Sequence, residues 1–313
     1  MHIVYFVVPC FNEEEALPET NRRLLIKLGQ LVDSGRADEK SRILYVDDGS
    51  RDRTWDIIMG FHSECASVCG LKLAHNAGHQ NALLAGLMTA REYADCAISL
   101  DADLQDDIEV IDEFVDQYNQ GCEVVYGVRN KRETDTFFKR VTAQGFYKVM
   151  KHLGVDIIYN HADYRLMGKS ALDALRDYKE VNLFLRGIVP LIGYKSGIVY
   201  YNRSERQAGE SKYPFKKMIS FALDGITSFS VKPLRIISNL GILISFLSII
   251  GILYALISYL AGVAVPGWTA IVASIWLLGG IQLLCIGVVG GYIGKIYSEV
   301  KSRPRYNIEE FTD

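Results

Sequence analysis

The chain has 313 residues, of which 49% are hydrophobic and 23% carry a charge, and its net charge is −3. A charged share near the globular average excludes a mainly disordered chain. The slightly acidic balance argues against nucleic-acid binding. The six cysteines lack the C-x2-C spacing of structural zinc sites, and the length does not suit a disulfide-stabilised secreted scaffold. These numbers indicate a folded protein of about two domains.

The first part of the chain alternates short β-rich runs with helical stretches. Strands are predicted at Ile3–Val8, Ile43–Asp47, Leu71–Leu73, Ala97–Leu100 and Val124–Gly127. Helices are predicted between them, for example at Glu14–Ser34 and Asn76–Tyr93. This βαβα order predicts an α/β fold with a mostly parallel, mixed sheet covered by helices on both faces.

Polar residues follow three of these predicted strands. They are Asn12 and Glu13, Asp47 and Asp48, and Asp101 and Asp103. Because ligands of open α/β sheets bind beyond the carboxyl ends of the strands, we expect these side chains to form one acidic cleft.

The segment Ser99–Asp106 reads SLDADLQD and places the carboxylates of Asp101 and Asp103 two residues apart at a strand end. Carboxylate oxygens bind Mg²⁺ or Mn²⁺, which share the rest of their coordination shell with substrate phosphates and water. No G-x-G-x-x-G follows the first strand and no P-loop sequence occurs, which disfavours a dinucleotide site and a P-loop. The segment therefore predicts a phosphate ligand held through a metal.

A basic segment, RSERQAGESKYP, extends from Arg203 to Pro214. Arg203, Arg206 and Lys212 are candidates for binding phosphate, arginine through its planar fork and lysine as a point charge. A solvated loop with peripheral charges is the alternative.

Two segments have the pattern of amphipathic helices. Residues 213–235 precede the apolar part of the chain, which favours an interfacial helix over one packed on the soluble domain. For Thr134–Leu153 a core helix and a membrane-facing helix fit the sequence equally well.

No charged residue occurs from Ile236 to Gly294. This stretch accommodates two membrane-spanning helices, Ser238–Val263 and Trp268–Gly294, joined by a turn at Pro266 and Gly267. Basic residues flank the pair on both sides and the turn has no charge, so the positive-inside rule predicts cytoplasmic flanks. Gly287, Gly290, Gly291 and Gly294 have small-xxx-small spacing, which fits packing within one hairpin or between hairpins of a homo-oligomer.

Seven motifs occur in a fixed order: VVPCFNEEE, VDDGSRDRT, HNAGHQNALLAG, SLDADLQD, YGVRNKR, DYRLM and RQAGESKY. Together they make the chain resemble the inverting family-2 glycosyltransferases of the GT-A fold. More narrowly it resembles the polyisoprenyl-phosphate group, which includes the bactoprenol glucosyltransferases and dolichol-phosphate mannose synthase. The resemblance covers about residues 2–235, and the two apolar helices match the bacterial members. The Q-x-x-R-W sequence of processive polysaccharide synthases is missing, which argues against polymer synthesis.

The resemblance implies a role for each motif residue. The nucleotide base and ribose would contact Pro9, Phe11, Glu13, Val46 and Asp48. The nucleotide-sugar would also contact Asp101, Ala102 and Arg129, and the metal would contact Asp103 and Gln105. Acceptor or donor phosphates would contact Arg129, Arg203, Arg206 and Lys212. The catalytic group would comprise Asp101, Asp103, Asp163 and Arg206, with Asp163 acting as a base or as an orienting group.

The resemblance implies an inverting transfer of a monosaccharide from a UDP-sugar to undecaprenyl phosphate at the cytoplasmic face of a bacterial inner membrane. Glucose or N-acetylglucosamine is expected first, and galactose or an aminoarabinose derivative stays open. The implied parts are a catalytic domain at 1–212, an interfacial helix at 213–235, two spanning helices at 236–294 and a cytoplasmic tail at 295–313. Alternatives are a transferase with another acceptor, such as diacylglycerol or a protein-linked glycan, and a non-catalytic membrane scaffold.

Overall fold

The structure is a computed structural model, and it describes residues 1–130, 161–181, 183–202, 231–261 and 267–313. Contacts divide these residues into two compact units. The first contains a large sheet, its helices and the segment Arg303–Asp313, and the second contains two long apolar helices up to Ser302. The predicted segment Thr134–Leu153, the basic segment and residues 213–230 of the predicted interfacial helix lie outside the described residues.

The first unit is built on an eight-stranded sheet with the order β7-β5-β6-β4-β1-β2-β3-β8. The strands are β1 Val4–Cys10, β2 Arg42–Asp47, β3 Val68–Leu73, β4 Cys96–Ser99, β5 Val124–Arg129, β6 His161–Gly168, β7 Ser196–Tyr201 and β8 Ile308–Thr312. Its helices are α1 Leu17–Asp33, α2 Thr54–Glu64, α3 His79–Tyr93, α4 Ile111–Asn119, α5 Lys169–Arg176 and α6 Leu185–Leu191. A short 3-10 turn, Ile108–Val110, precedes α4. The α/β prediction and the five predicted strands are confirmed.

Six of these strands run in one direction, and β6 and β8 run in the other. The sheet is therefore mixed and mostly parallel. Because β6 is antiparallel to β4 and β5, its first residues lie at the edge where its neighbours end. This edge gathers the carboxyl ends of β1, β2, β4, β5 and β7.

Successive side chains of the central strands point to opposite faces of the sheet and are buried on both faces. Val4, Phe6 and Val8 of β1 belong to a buried cluster that also includes Leu24 and Leu28 of α1. On α3, a Cβ at Gly86 would lie 2.4 Å from a methyl carbon of Val7 and 2.7 Å from one of Val46, both on strands of the sheet. A side chain at this position would push α3 away from β1 and β2, so glycine sets their close approach.

Strand β8 comes from the far end of the chain and closes the edge of the sheet beside β3. The hydroxyl of Thr312 accepts a hydrogen bond from the Gly70 backbone at 3.1 Å. Lys72 pairs with Glu309 at 3.0 Å, and Arg305 donates to the carbonyl of Tyr178 at 2.6 Å. The segment lies in the predicted tail at 295–313, and its sequence pattern does not predict this strand.

The second unit contains α7, Lys232–Leu260, and α8, Trp268–Lys301. Within the described residues, the stretch Leu277–Lys301 is long and apolar enough to cross a membrane. The second crossing predicted at Ser238–Val263 falls largely in α7 and stays a prediction. The four glycines of the small-residue stripe in α8 have open space where a Cβ would lie. Packing of these glycines within one hairpin or between hairpins stays a prediction.

Candidate active site

The loops that follow β1 and β2 are joined by side-chain hydrogen bonds to backbone. The Asn12 backbone donates to the Ser50 hydroxyl at 3.0 Å, and the Asn12 side-chain oxygen accepts from the Arg51 backbone at 2.9 Å. The Glu13 backbone donates to the Thr54 hydroxyl at 2.9 Å. Asn12 has a positive φ of 55°, a conformation that asparagine adopts more readily than most residues. The two loops consequently form one wall of the cleft.

Asp48 connects this wall to the start of α3. Its two carboxylate oxygens accept hydrogen bonds from the backbones of Ala77 at 2.6 Å and Gly78 at 3.0 Å. Burial raises the pKa of Asp48, and these two hydrogen bonds partly offset that effect. Next to it, Gly49 has a φ of 66°, and a Cβ there would lie 2.6 Å from the Asn76 backbone nitrogen. Asp48 therefore shapes the cleft as well as carrying charge in it.

The other residues predicted to hold a nucleotide lie along the same wall. Pro9 and Val46 are buried partners in the register of β1 and β2, close to the ends of both strands. Phe11 follows β1 and is 43% exposed, so its ring is available to a planar ligand. Glu13 is half-buried beside it in the chain.

The segment after β4 is held by contacts at both ends. The Thr20 hydroxyl of α1 donates to the Ala102 carbonyl at 2.6 Å, and the Gln105 backbone donates to the Asp103 carboxylate at 3.2 Å. Ala102 and Gln105 are buried, whereas the side chain of Asp101 keeps 39% of its exposure. The fold thus leaves Asp101 open to the cleft while its neighbours are fixed.

The chemistry of this segment suits a divalent cation. Burial raises the pKa of Asp101 to about 6, and the carboxylates of Asp106, Asp163 and Asp103 act in the same direction. Among the residues that the structure describes, one buried oxygen of Asp106 has no hydrogen-bond partner. Within the described residues no three His, Cys, Asp or Glu side chains form a metal cluster by themselves. A cation here would share its shell with other oxygen ligands, as Mg²⁺ and Mn²⁺ do.

Asp163 lies near the start of β6, the antiparallel strand, and so reaches the same edge. Its carboxylate accepts hydrogen bonds from Arg165 at 2.5 Å, from Arg186 at 3.0 and 3.3 Å, and from Gln80 at 3.2 Å. Burial alone would raise the pKa of Asp163, but the two arginines outweigh it and hold the pKa well below its usual range. The carboxylate is therefore an anion throughout the physiological pH range.

His79, the first residue of α3, lies between the two parts of the cleft. Its Nε2 atom is 3.8 Å from a carboxylate oxygen of Asp101 and 3.8 Å from one of Asp163. The side chain is 47% exposed. His79 therefore lies beside one carboxylate that follows β4 and another near the start of β6.

A third polar group joins the ends of β5 and β7. The Tyr201 hydroxyl donates to Asp106 at 2.7 Å and accepts from Arg129 at 3.1 Å, and Arg129 also donates to Asp106 at 3.1 Å. Burial lowers the pKa of Arg129, but Asp106 and Tyr201 outweigh it and raise the value overall. Arg129 thus keeps its charge in a largely enclosed position.

The structure brings Asp48, Asp101, Asp103, Arg129 and Asp163 to one edge of the sheet, as the strand-end rule predicts. Arg203, Arg206 and Lys212 lie outside the described residues. Sequence reasoning missed the polar partners of these groups: His79, Gln80, Asp106, Arg165, Arg186 and Tyr201. Most of them occur inside or beside quoted motifs. The signal for Arg186 was a single charge in the apolar run LFLRGIVPL.

Comparison with known proteins matches one family to part of the chain and several relatives to nearly all of it. Residues 5–176 match the family described as Glycosyl transferase family 2. The uncharacterized glycosyltransferase YkoT of Bacillus subtilis is 55% identical over 98% of this chain and 91% of its own. The prophage bactoprenol glucosyl transferase homolog of Escherichia coli is 39% identical over 98% of both chains. The SfII prophage-derived bactoprenol glucosyl transferase of Shigella flexneri is 38% identical over 98% of this chain and 97% of its own.

Proposed function

This chain belongs to glycosyltransferase family 2 and is a glycosyltransferase, and from this premise we propose that it transfers glucose from UDP-glucose to a polyprenyl phosphate. The observation that carries the proposal is the match to two bactoprenol glucosyl transferases over 97–98% of their length. That match includes the apolar helices as well as the sheet. The names of these relatives favour glucose over N-acetylglucosamine as the sugar.

The reaction is a single displacement at the anomeric carbon of the donor. An oxygen of the acceptor phosphate forms the new bond to that carbon, and the bond to the UDP diphosphate breaks. A phosphate acceptor is already anionic near neutral pH, since its second pKa is about 6. The reaction therefore needs no strong general base, and one displacement inverts the anomeric configuration.

The residues of the cleft divide between donor and acceptor in this proposal. Asp48 and Phe11 hold the nucleotide, together with Pro9, Glu13 and Val46. Asp101 and Ala102 contact the sugar and diphosphate. Arg129 meets a phosphate, and the basic residues Arg203, Arg206 and Lys212 hold the acceptor.

Asp103 and Gln105 would hold the divalent cation, and the open carboxylate of Asp101 lies two residues away. The cation supplies charge neutralisation for the leaving diphosphate. Burial and the neighbouring carboxylates of Asp106, Asp163 and Asp103 raise the pKa of Asp101, which supports a cation beside it.

The proposed site of action is the cytoplasmic membrane surface. Residues 231–302 belong to the second unit, and the segment Arg303–Asp313 that follows them belongs to the first. This arrangement supports placing both ends of the apolar stretch on one side of a membrane, with an even number of crossings between them. Leu277–Lys301 supplies one crossing, and α7, with 29 residues, is long enough for the second. Basic residues on both flanks favour the cytoplasmic side.

The test is a transfer assay with the purified full chain in detergent. Labelled UDP-glucose, Mg²⁺ or Mn²⁺ and undecaprenyl phosphate should give a labelled product that extracts into organic solvent. UDP-N-acetylglucosamine and UDP-galactose should give little. Label that appears only with diacylglycerol, or with no lipid acceptor, would refute the proposed acceptor.

Asp103→Ala and the control Asp33→Ala complete the assay. Asp33 is exposed at the end of α1 and is not one of the residues assigned to the cleft. We expect loss of turnover for the first variant and unchanged turnover for the second. Full activity of Asp103→Ala would contradict the metal assignment.

A further inference from the structure

Arg186 lies at the start of α6 and turns its guanidinium toward Asp163. Its Nε and Nη2 atoms donate to the two carboxylate oxygens at 3.3 and 3.0 Å, a bidentate pair. The side chain is 36% exposed, whereas Asp163 behind it keeps only 8%. Within the described part of the chain, the Nη1 atom of Arg186 makes no hydrogen bond. A fixed fork with unused donors is thus presented to solvent.

The Asp163 carboxylate is shared by two guanidinium groups. Arg165 is 1% exposed and pairs with the same carboxylate as Arg186. Arg165 is thus enclosed, whereas Arg186 reaches the surface, where an anion bound in the cleft could contact it.

Arg186 also lies within electrostatic range of the groups assigned to the reaction. Burial lowers its pKa and Asp163 raises it, and Asp101 and Arg129 contribute with opposite signs, for a net increase. Asp101 and Arg129 follow β4 and end β5, while Arg186 begins α6. Three separate elements therefore direct charged groups at one region.

Contacts other than those of Arg186 also attach α6 to the cleft. The Gln80 side chain accepts a hydrogen bond from the Leu185 backbone at 3.1 Å, and Arg165 donates to the Leu185 carbonyl at 3.3 Å. Both Gln80 and Arg165 also bind Asp163. The first residue of α6 is consequently held through both its N–H and its carbonyl, in addition to the ion pair that Arg186 makes with Asp163.

We propose that Arg186 binds a phosphoryl oxygen of a substrate in this cleft, and that Asp163 is the positioning residue that aims it. The inference rests on the proposed function, because a sugar nucleotide and a lipid phosphate are the two sources of such an oxygen. Arginine suits this role because its planar fork keeps two N–H groups on Asp163 and offers the remaining ones to the ligand.

The first arm of the test measures nucleotide binding without turnover. Calorimetry with UDP and Mn²⁺ compares the wild type with Arg186→Gln, Arg186→Lys and the control Arg176→Gln, an exposed arginine at the end of α5. The second arm measures kcat and KM for undecaprenyl phosphate with the same set. A loss in the first arm identifies the donor diphosphate as the ligand, and a rise of KM in the second identifies the acceptor phosphate.

Hydrogen bonds to charged groups lead us to expect a loss of about 10- to 100-fold in one arm for Arg186→Gln. Arg186→Lys should recover part of it, since the charge stays and the fork is lost. Arg176→Gln should match the wild type in both arms. Added guanidinium at a non-denaturing concentration should raise the activity of Arg186→Gln, which a folding defect would not allow.

Asp163→Asn tests the positioning role. We expect lower activity at every pH with the shape of the pH profile unchanged, because a positioning anion aims Arg186 without exchanging a proton. Disappearance of the acidic limb of the profile would make Asp163 a base and overturn this part. Unchanged UDP affinity and unchanged acceptor kinetics in Arg186→Gln would overturn the role of Arg186. If the wild type makes no lipid-linked sugar, the acceptor proposal fails and UDP affinity alone decides for or against Arg186.

Discussion

Individual carboxylates in this cleft differ in what holds them. Asp48 accepts hydrogen bonds from two backbone N–H groups, Asp163 pairs with arginines, and Asp101 lies 3.8 Å from His79 with 39% of its side chain exposed. The same residue type therefore serves as a loop anchor, as a permanent anion and as an open carboxylate. Each of these environments leads to a different response when the charge is removed.

Asp48→Asn should destabilise the protein by about 1–3 kcal/mol. The asparagine amide keeps one acceptor oxygen, so one of the hydrogen bonds from Ala77 and Gly78 is lost in a buried position. Chemical denaturation of the detergent-solubilised chain measures the change. Asp33→Asn, at an exposed position, should lie within about 0.5 kcal/mol of the wild type.

The ion network at Asp163 predicts a stability that falls in acid. Its pKa is depressed in the folded chain, so the stabilisation is complete above the unfolded pKa of about 3.9 and is lost as the pH falls below it. Asp163→Asn should be less stable at neutral pH and should lose less on acidification. Melting temperatures of both proteins from pH 7 to pH 3 test this, with Asp177→Asn as an exposed control. Parallel curves for the wild type and Asp163→Asn would contradict the prediction.

The elements show how far sequence patterns reach. Alternating apolar runs predict β1 to β5 well, since each run is buried and bounded by polar residues. Strands β6 and β7 are not recognised, because β6 pairs antiparallel with two distant strands and β7 exposes Ile198 and Tyr200. The residues that bind Asp163 could not be predicted from the sequence for the same reason. Contacts between residues 80, 163 and 186 depend on strand order, which no short sequence pattern encodes.

Strand β8 should stabilise the sheet through backbone pairing. Deleting residues 308–313 leaves the edge of β3 unpaired, and we expect a lower melting temperature and faster amide exchange in Val68–Leu73. Glu309→Gln serves as the control. It removes only the exposed pair with Lys72, so its effect should stay below about 1 kcal/mol. Unchanged exchange in the deletion variant would show that the pairing is not needed.

The whole chain joins a catalytic sheet to an apolar helical pair. Its overall composition averages the two parts, and only the position of the charges separates them in the sequence. The family and the wall formed by the loops after β1 and β2 follow from ordered motifs, because those residues are close in sequence to their strands. The pairing of β3 with β8 could not be predicted in this way, since the two strands are separated by more than 230 residues.

The proposed pair of membrane crossings predicts that Gly267, the residue before α8, is accessible from outside the cell. Gly267→Cys should react with a membrane-impermeant maleimide added outside intact cells and should be protected in inverted vesicles. The wild type, with its six native cysteines, gives the background. Labelling of the new cysteine only in inverted vesicles would place the turn on the cytoplasmic side and exclude the two-crossing arrangement.

The position of β8 after α8 has a consequence for biosynthesis. Ribosomes release β1, β2 and β3 early, but the partner of β3 emerges only after both apolar helices have been made. During translation the β3 edge stays open, and the nascent sheet depends on a segment still to come. The sheet of the catalytic unit therefore becomes complete only in chains whose apolar helices have already been synthesised, so folding of this unit ends after translation of the second one.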